Sequence, residues 1–153
     1  MVQVAGRSGR YAPDGKVIVQ TLRLHDPAIV KSCALDVEGF FETELKQRAA
    51  LSFPPYSRLI RFTLRSRDEK RCRTAAERLA SIAMPLLPVG ADVLGPAECP
   101  LGIISNQHRK HFILRGKNMG TIHNAAGVIL SRYEKGKDSR VYLEIDVDPV
   151  SLL

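Results

Sequence analysis

A chain of 153 residues, 44% of them hydrophobic, is long enough for one ordinary domain, or one domain joined to part of another, and too apolar for bulk disorder. Its 23 lysines and arginines outnumber 16 acidic residues, and the net charge of +7 favours an anionic partner such as nucleic acid. Three scattered cysteines (Cys33, Cys72, Cys99) without a Cys-x-x-Cys, no apolar signal core and no apolar run near the ~20 residues of a membrane span argue against metal, dithiol and membrane roles and for a reducing cytosol.

Residues 3–10 read QVAGRSGR. Glycines let a backbone approach a ligand closely, and arginines offer forked donors that match phosphate oxygens. Gln-x-x-Gly-Arg-x-Gly-Arg therefore reads as a phosphate-seeking string of the arginine-finger kind. Such a finger is half a site, because it needs a phosphate-cradling loop and a magnesium carboxylate. No Gly-x-x-x-x-Gly-Lys-Ser/Thr occurs here, so the chain alone is not a complete nucleotide hydrolase and is expected to be part of a larger protein.

Downstream, VIVQTL at 17–22 has the β-branched density of a buried strand, expected to be poorly anchored for want of sheet partners. Pro27 predicts a break at 25–27. Residues 36–51 read as a helix with Val37, Phe41, Leu45 and Arg48 on one stripe, stopped by Pro54 and Pro55. The domain boundary is placed before or within this helix. RLIRFTLRS at 58–66 is a strand with Ile60, Phe62 and Leu64 on one face and Arg61, Thr63 and Arg65 on the other. Asp68 caps a helix near 69–84 with Cys72, Ala75, Ala76, Leu79 and Ile82 or Ala83 inward. Residues 91–100 predict a short strand and a turn, and QHRKHF at 107–112 a basic turn leading into a strand at 111–116. A helix follows at 119–134 with Met119, Ile122, Ala126, Ile129 and Tyr133 on one stripe. The last strand is 140–149.

From residue 57 the order is β-α-β-β-α-β. This is an α+β fold of the split-βαβ kind, one sheet with both helices on one face. Within it, Arg58, Arg61 and Arg65 are candidates for tracking DNA phosphates, together with Arg67, Lys70, Arg71 and Arg73. Arg109 and Lys110 in the basic turn are further DNA candidates. Few aromatic side chains are available for base stacking, which favours backbone contact. Arg115, Lys117 and the start of the 119–134 helix form a candidate site for a partner's terminal carboxylate. Asp146 and Asp148 are expected to pair with arginines such as Arg61 or Arg65, not to hold magnesium.

QVAGRSGR followed by GKVIVQT resembles the sixth motif of superfamily 2 helicases and the strand after it. FFETELKQRAALSFPPYSRL, LGPAECPLGIISNQHRKHFILRGK and the closing EIDVDP resemble the primosomal protein N′ family, the bacterial replication-restart helicases. The resemblance covers essentially the whole chain. It implies a remnant of helicase lobe 2 at 1–34 and the family's ribosomal-protein-like C-terminal domain at 35–153. The family's activity is ATP-dependent 3′→5′ unwinding at stalled forks, leading to primosome assembly in the cytoplasm at the nucleoid. Carried over by position, Arg7 and Arg10 would reach the ATP γ-phosphate, with Arg10 as the finger, and Gln3, Gly6 and Gly9 complete the motif. ATP and Mg2+ would be held, and zinc bound, by parts of the longer protein outside this sequence; no bound cofactor is expected in this chain. Expected partners are forked and single-stranded DNA, the acidic tail of single-stranded-DNA-binding protein, and other primosome proteins. The rival reading is a purely structural domain that buttresses the helicase lobes and touches no DNA. One continuous basic face would favour DNA binding, and scattered charge would favour scaffolding. An autonomous RNA-binding module is a third reading, disfavoured by the helicase motif.

Overall fold

The computed structural model describes residues 17–150. Gln3, Gly6, Arg7, Gly9 and Arg10 lie outside the described residues. The chain divides into two compact units, one ending at Ser52 and the other starting at Phe53.

In the first unit, residues 17–22 form no strand, and Ile18 and Leu22 are fully exposed. A strand is stable only when a neighbour takes its backbone hydrogen bonds. None pairs with it among the described residues. The predicted break holds at His25-Asp26, which lie outside any helix, and Pro27 itself starts one. Helix α1 spans Pro27–Cys33, and the Asp26 Oδ1 accepts from the Ala28 N–H at 2.9 Å. Proline is tolerated there because the first helical N–H has no intrahelical partner to lose. Helix α2 spans Val37–Ala50 and is capped by Asp36, whose carboxylate accepts from the Gly39 N–H at 2.9 Å. A Glu44–Arg48 pair at 2.7 Å, one turn apart, adds local support. The stripe of Val37, Phe41 and Leu45 exists, but all three side chains are exposed.

The second unit carries the sheet. Strand β1 spans Arg58–Ser66, β2 Ala91–Ile104, β3 Gln107–Gly116 and β4 Tyr142–Val147. Helix α3 spans Glu69–Ala83 and α4 Met119–Glu134. The four strands lie in the order β2-β3-β1-β4, and every neighbouring pair is antiparallel. This is the split-βαβ order read from the sequence. Asp68 caps α3 through the Arg71 N–H at 3.0 Å, and Asn118 caps α4 through the Thr121 N–H at 3.2 Å. Both helices turn their apolar stripes onto one face of the sheet. Ile60, Phe62 and Leu64 of β1 and Phe112 and Leu114 of β3 meet Leu79 of α3 and Ile129 of α4, all fully buried. Removing such side chains from water is the main stabilising term of the unit.

Two predicted turns are strand instead. β2 does not end at a turn near 95–100. It runs on to Ile104 through irregularities between Leu94 and Ala97 and between Glu98 and Ile103. Pro96 and Pro100 fall in these interruptions of the ladder, where a missing N–H costs least. The basic stretch at 107–110 is the first part of β3. The chain turns earlier, at Ser105-Asn106, where both residues have positive φ (51° and 58°), as a tight two-residue hairpin requires.

Candidate nucleic-acid interface

Alternation along the strands sorts the candidate cations by face. The pairing register sets Arg61 and Arg65 of β1 beside Ile113 and Arg109 of β3, and Arg115 of β3 opposite Asp92 of β2. These four arginines share the face turned away from the helices. Arg58 and Lys110 have the opposite parity. Arg58 sits at the start of β1, and Lys110 lies opposite Leu64 on the helix side. The sheet therefore does not gather all of the candidates on one surface.

Most of these cations already have an acidic neighbour. Arg61 meets Asp146 at 3.0 Å, Arg65 meets Glu144 at 3.4 Å, and Arg58 pairs with Asp148. The expected pairing of the DVDP carboxylates with β1 arginines is thus present. Lys110 lies 3.9 Å from Glu98. Arg115 makes a forked contact with Asp92 and lies 5.9 Å from the centroid of the Phe53 ring. The Arg115 guanidinium holds the Asp92 carboxyl below the usual carboxylate range. Of the four arginines on the solvent face, only Arg109 has no carboxylate among the described residues, and its guanidinium donates to the Leu101 carbonyl at 3.3 Å. Between them, His111 is partly buried. Burial, and then the charges of Arg61 and Arg109, push its pKa down.

Near the start of α4, Arg115 is committed to Asp92, whereas Lys117 is exposed and carries no ion pair among the described residues. The adjoining hollow of about 540 Å3 is lined by Leu86, Pro88, Asn118, Thr121, Asn124 and Val128 among others, with no cation in its wall.

A different set of cations converges at the opposite end of the helices. An open cleft of about 450 Å3 lies between α3 and the turn that follows α4. Its walls include Lys70, Arg71 and Arg78 from α3, Tyr133 from α4, and Asp138 from the turn. Arg71 is clamped between Asp138 (2.6 Å) and Asp68 (3.2 Å). Arg78 donates to the Gly136 and Tyr133 carbonyls and lies 5.2 Å from the centroid of the Tyr133 ring. The sequence reading named Lys70 and Arg71 but missed Arg78. The available signal was its position seven residues after Arg71, two turns along one side of α3.

Of the three cysteines, Cys72 and Cys99 are buried and Cys33 is exposed. Cys72 is buried, its thiol donates to the Leu64 and His108 carbonyls at 3.4 Å each, and burial pushes the thiol pKa up. Among the described residues no group of three or more His, Cys, Asp or Glu side chains could hold a metal ion, and no helix is long and apolar enough to cross a membrane.

Residues 49–150 match the family described as the primosomal protein N C-terminal domain. The chain belongs to that family. Its relatives include the replication restart protein PriA of Treponema pallidum, 40% identical over 153 residues, which is 100% of this chain and 23% of that protein. The PriA protein of Synechocystis is 32% identical over 152 residues, 99% of this chain and 18% of the relative. That of Borreliella burgdorferi is 30% identical over 152 residues, 99% and 23% respectively. The chain spans less than a quarter of the length of these relatives.

Proposed function

We propose that the chain is the C-terminal part of a replication restart helicase and that its own contribution is binding to DNA and to partner proteins. What supports this reading most is the alignment that runs the whole length of the chain, placing the arginine-rich string and the sheet domain in one sequence with a restart protein. Charge supports the DNA-binding part. Residues 53–150 hold sixteen lysines and arginines against ten acidic residues, a net of +6. Such a domain attracts phosphate backbones without reading sequence.

In the longer protein, Arg7 and Arg10 face the γ-phosphate of ATP, Gln3 helps couple nucleotide to DNA, and Gly6 and Gly9 complete the motif. ATP, Mg2+ and zinc are held by segments outside this sequence. Lys117, next to the Arg115–Asp92 pair, is the group best placed to meet the carboxylate of an acidic protein tail.

The test is fluorescence anisotropy of the 153-residue chain with labelled single-stranded and forked DNA across a salt series. Micromolar binding that weakens steeply with salt supports the reading, and no binding at low salt overturns it. In the longer protein, Arg10→Ala should abolish ATP hydrolysis while DNA binding persists. A scaffolding role is the second reading. It is favoured by one observation, that Arg58, Arg61, Arg65 and Arg115 each already engage a carboxylate.

A further inference from the structure

We infer that the cleft between α3 and the turn after α4, and not the solvent face of the sheet, is where the chain grips the phosphodiester backbone of DNA. The inference rests on the DNA-binding reading above and assigns its site. It follows from where positive charge is left uncompensated.

On the solvent face of the sheet a phosphate would meet Glu144, Asp146 and Asp92 as well as their arginines. Each arginine would have to share or exchange its acidic partner, and the displaced carboxylate would repel the incoming anion. The cleft is built differently. Its two carboxylates are already occupied. Asp68 caps α3 and pairs with Arg71, and Asp138 takes both Arg71 and the Arg140 N–H at 2.9 Å. The backbone N–H groups of Arg71 and Arg140 are the largest of the influences that hold these two carboxyls below their ordinary range. Both stay ionised and fix Arg71 in the wall.

The other two cations in the wall keep their full charge. Lys70 is exposed and has no ion pair among the described residues. Among the described residues Arg78 is held by carbonyl oxygens and the Tyr133 ring, which orient its guanidinium without neutralising it. Arg67 and Lys135 are next in sequence to the lining residues Asp68 and Gly136, and both are exposed without an ion pair among the described residues. Among the described residues, two uncompensated cations thus line the cleft and two more adjoin its lining in sequence, against Arg109 on the face of the sheet turned away from the helices. At about 450 Å3 the cleft falls within the range of ordinary ligand sites. Tyr133, the aromatic residue in its wall, is buried, so the contact is to the backbone and independent of sequence.

The test compares two variants of the whole chain that lose the same charge. Lys70→Gln with Lys135→Gln strips a cation from the cleft wall and one beside it, and the sheet-side variant, Arg109→Gln with Lys117→Gln, strips the uncompensated cation of the sheet face and the one in the connection between β3 and α4. Affinity for a labelled single-stranded oligonucleotide is read by anisotropy from low to physiological salt. The cleft variant should bind about tenfold more weakly, and its log Kd against log salt should flatten by about 1.4, the value for two lost contacts on a single strand. The sheet-side variant should stay within about twofold, a change of less than one phosphate contact. Lysine acetylation mapped by mass spectrometry gives a second readout, in which bound DNA protects Lys70 and Lys135 and leaves Lys117 reactive. Unchanged affinity and slope in the cleft variant, or an equal loss in the sheet-side variant, overturns the inference while leaving DNA binding itself in place. Absence of binding by the unmodified chain removes the underlying reading instead.

Discussion

Arg61 on β1 and Asp146 on β4 stand directly opposite each other in the register, and guanidinium and carboxylate meet at 3.0 Å. The Arg61 side chain is 17% exposed and the Asp146 side chain 44%, so the pair is half shielded from water. Cross-strand pairs of opposite charge contribute about 0.2–1 kcal/mol, and exposed ion pairs tend towards the lower end. A double-mutant cycle with Arg61→Ala and Asp146→Ala, followed by urea unfolding, should give a coupling of about 0.5 kcal/mol. A value indistinguishable from zero would show that solvent screening cancels the contact. β4 would then be held by backbone and apolar terms alone.

His111 makes stability depend on pH near neutrality. Its folded pKa lies below the ordinary 6.5, because burial and the neighbouring Arg61 and Arg109 all oppose a positive imidazole. As pH falls through 6.5 the unfolded chain takes up a proton before the folded one does, so the unfolded state is favoured. The unmodified chain should therefore lose stability between about pH 7.5 and about pH 5.5, a window set by a depressed histidine. His111→Gln should flatten that slope. An equal slope in the variant would assign the effect to another group.

How much of this was legible beforehand divides along one line. The spans of β1, α3 and α4 and their buried stripes could be read because each has a clean period, and Asp68 marks the start of α3; the Asn118 cap of α4 is seen only in the structure. Elements governed by distant partners could not. VIVQTL carries strand composition, but composition does not supply a neighbouring strand. Pro27 reads as part of a break, and residues 91–100 as a short strand and a turn. In the fold Pro27 occupies the first turn of a helix, and Pro96 and Pro100 the interruptions of an edge ladder, where an absent N–H is tolerated. The site was legible only as a list of cations. Which of them keep their charge depends on cross-strand register and on the α3–α4 packing, and neither can be read from the sequence.

Two glycines near α4 should respond to alanine with opposite signs. Gly116 ends β3 under the helix, and a Cβ there would come within 2.6 Å of the Ile122 Cγ2, a buried core atom. Gly116→Ala should destabilise by about 1–3 kcal/mol, the usual range for overpacking. Gly127 lies exposed in the middle of α4, and a Cβ there meets nothing within 4 Å. Gly127→Ala should stabilise by about 0.5–1 kcal/mol through helix propensity alone. Thermal unfolding of the two variants checks both signs, and a destabilising Gly127→Ala would reveal that something closes over that side of α4.

The heaviest dependence of the sheet on a single contact is at its centre. Phe62 of β1 and Phe112 of β3 are directly paired and fully buried, with their rings stacked at 4.6 Å between centroids and 3° from parallel. Phe62→Ala removes the transfer free energy of the ring and leaves a cavity that the two central strands cannot close, a loss of about 3–5 kcal/mol. Domains of this size are stable by only about 5–15 kcal/mol, so the variant should lose a large share of its stability. Phe62→Leu keeps most of the volume and should cost about half as much, which separates filling of the core from ring stacking. Urea midpoints for the two variants decide the matter. A Phe62→Leu variant as unstable as Phe62→Ala would mean that the stacked pair itself, and not the volume it fills, holds β1 to β3.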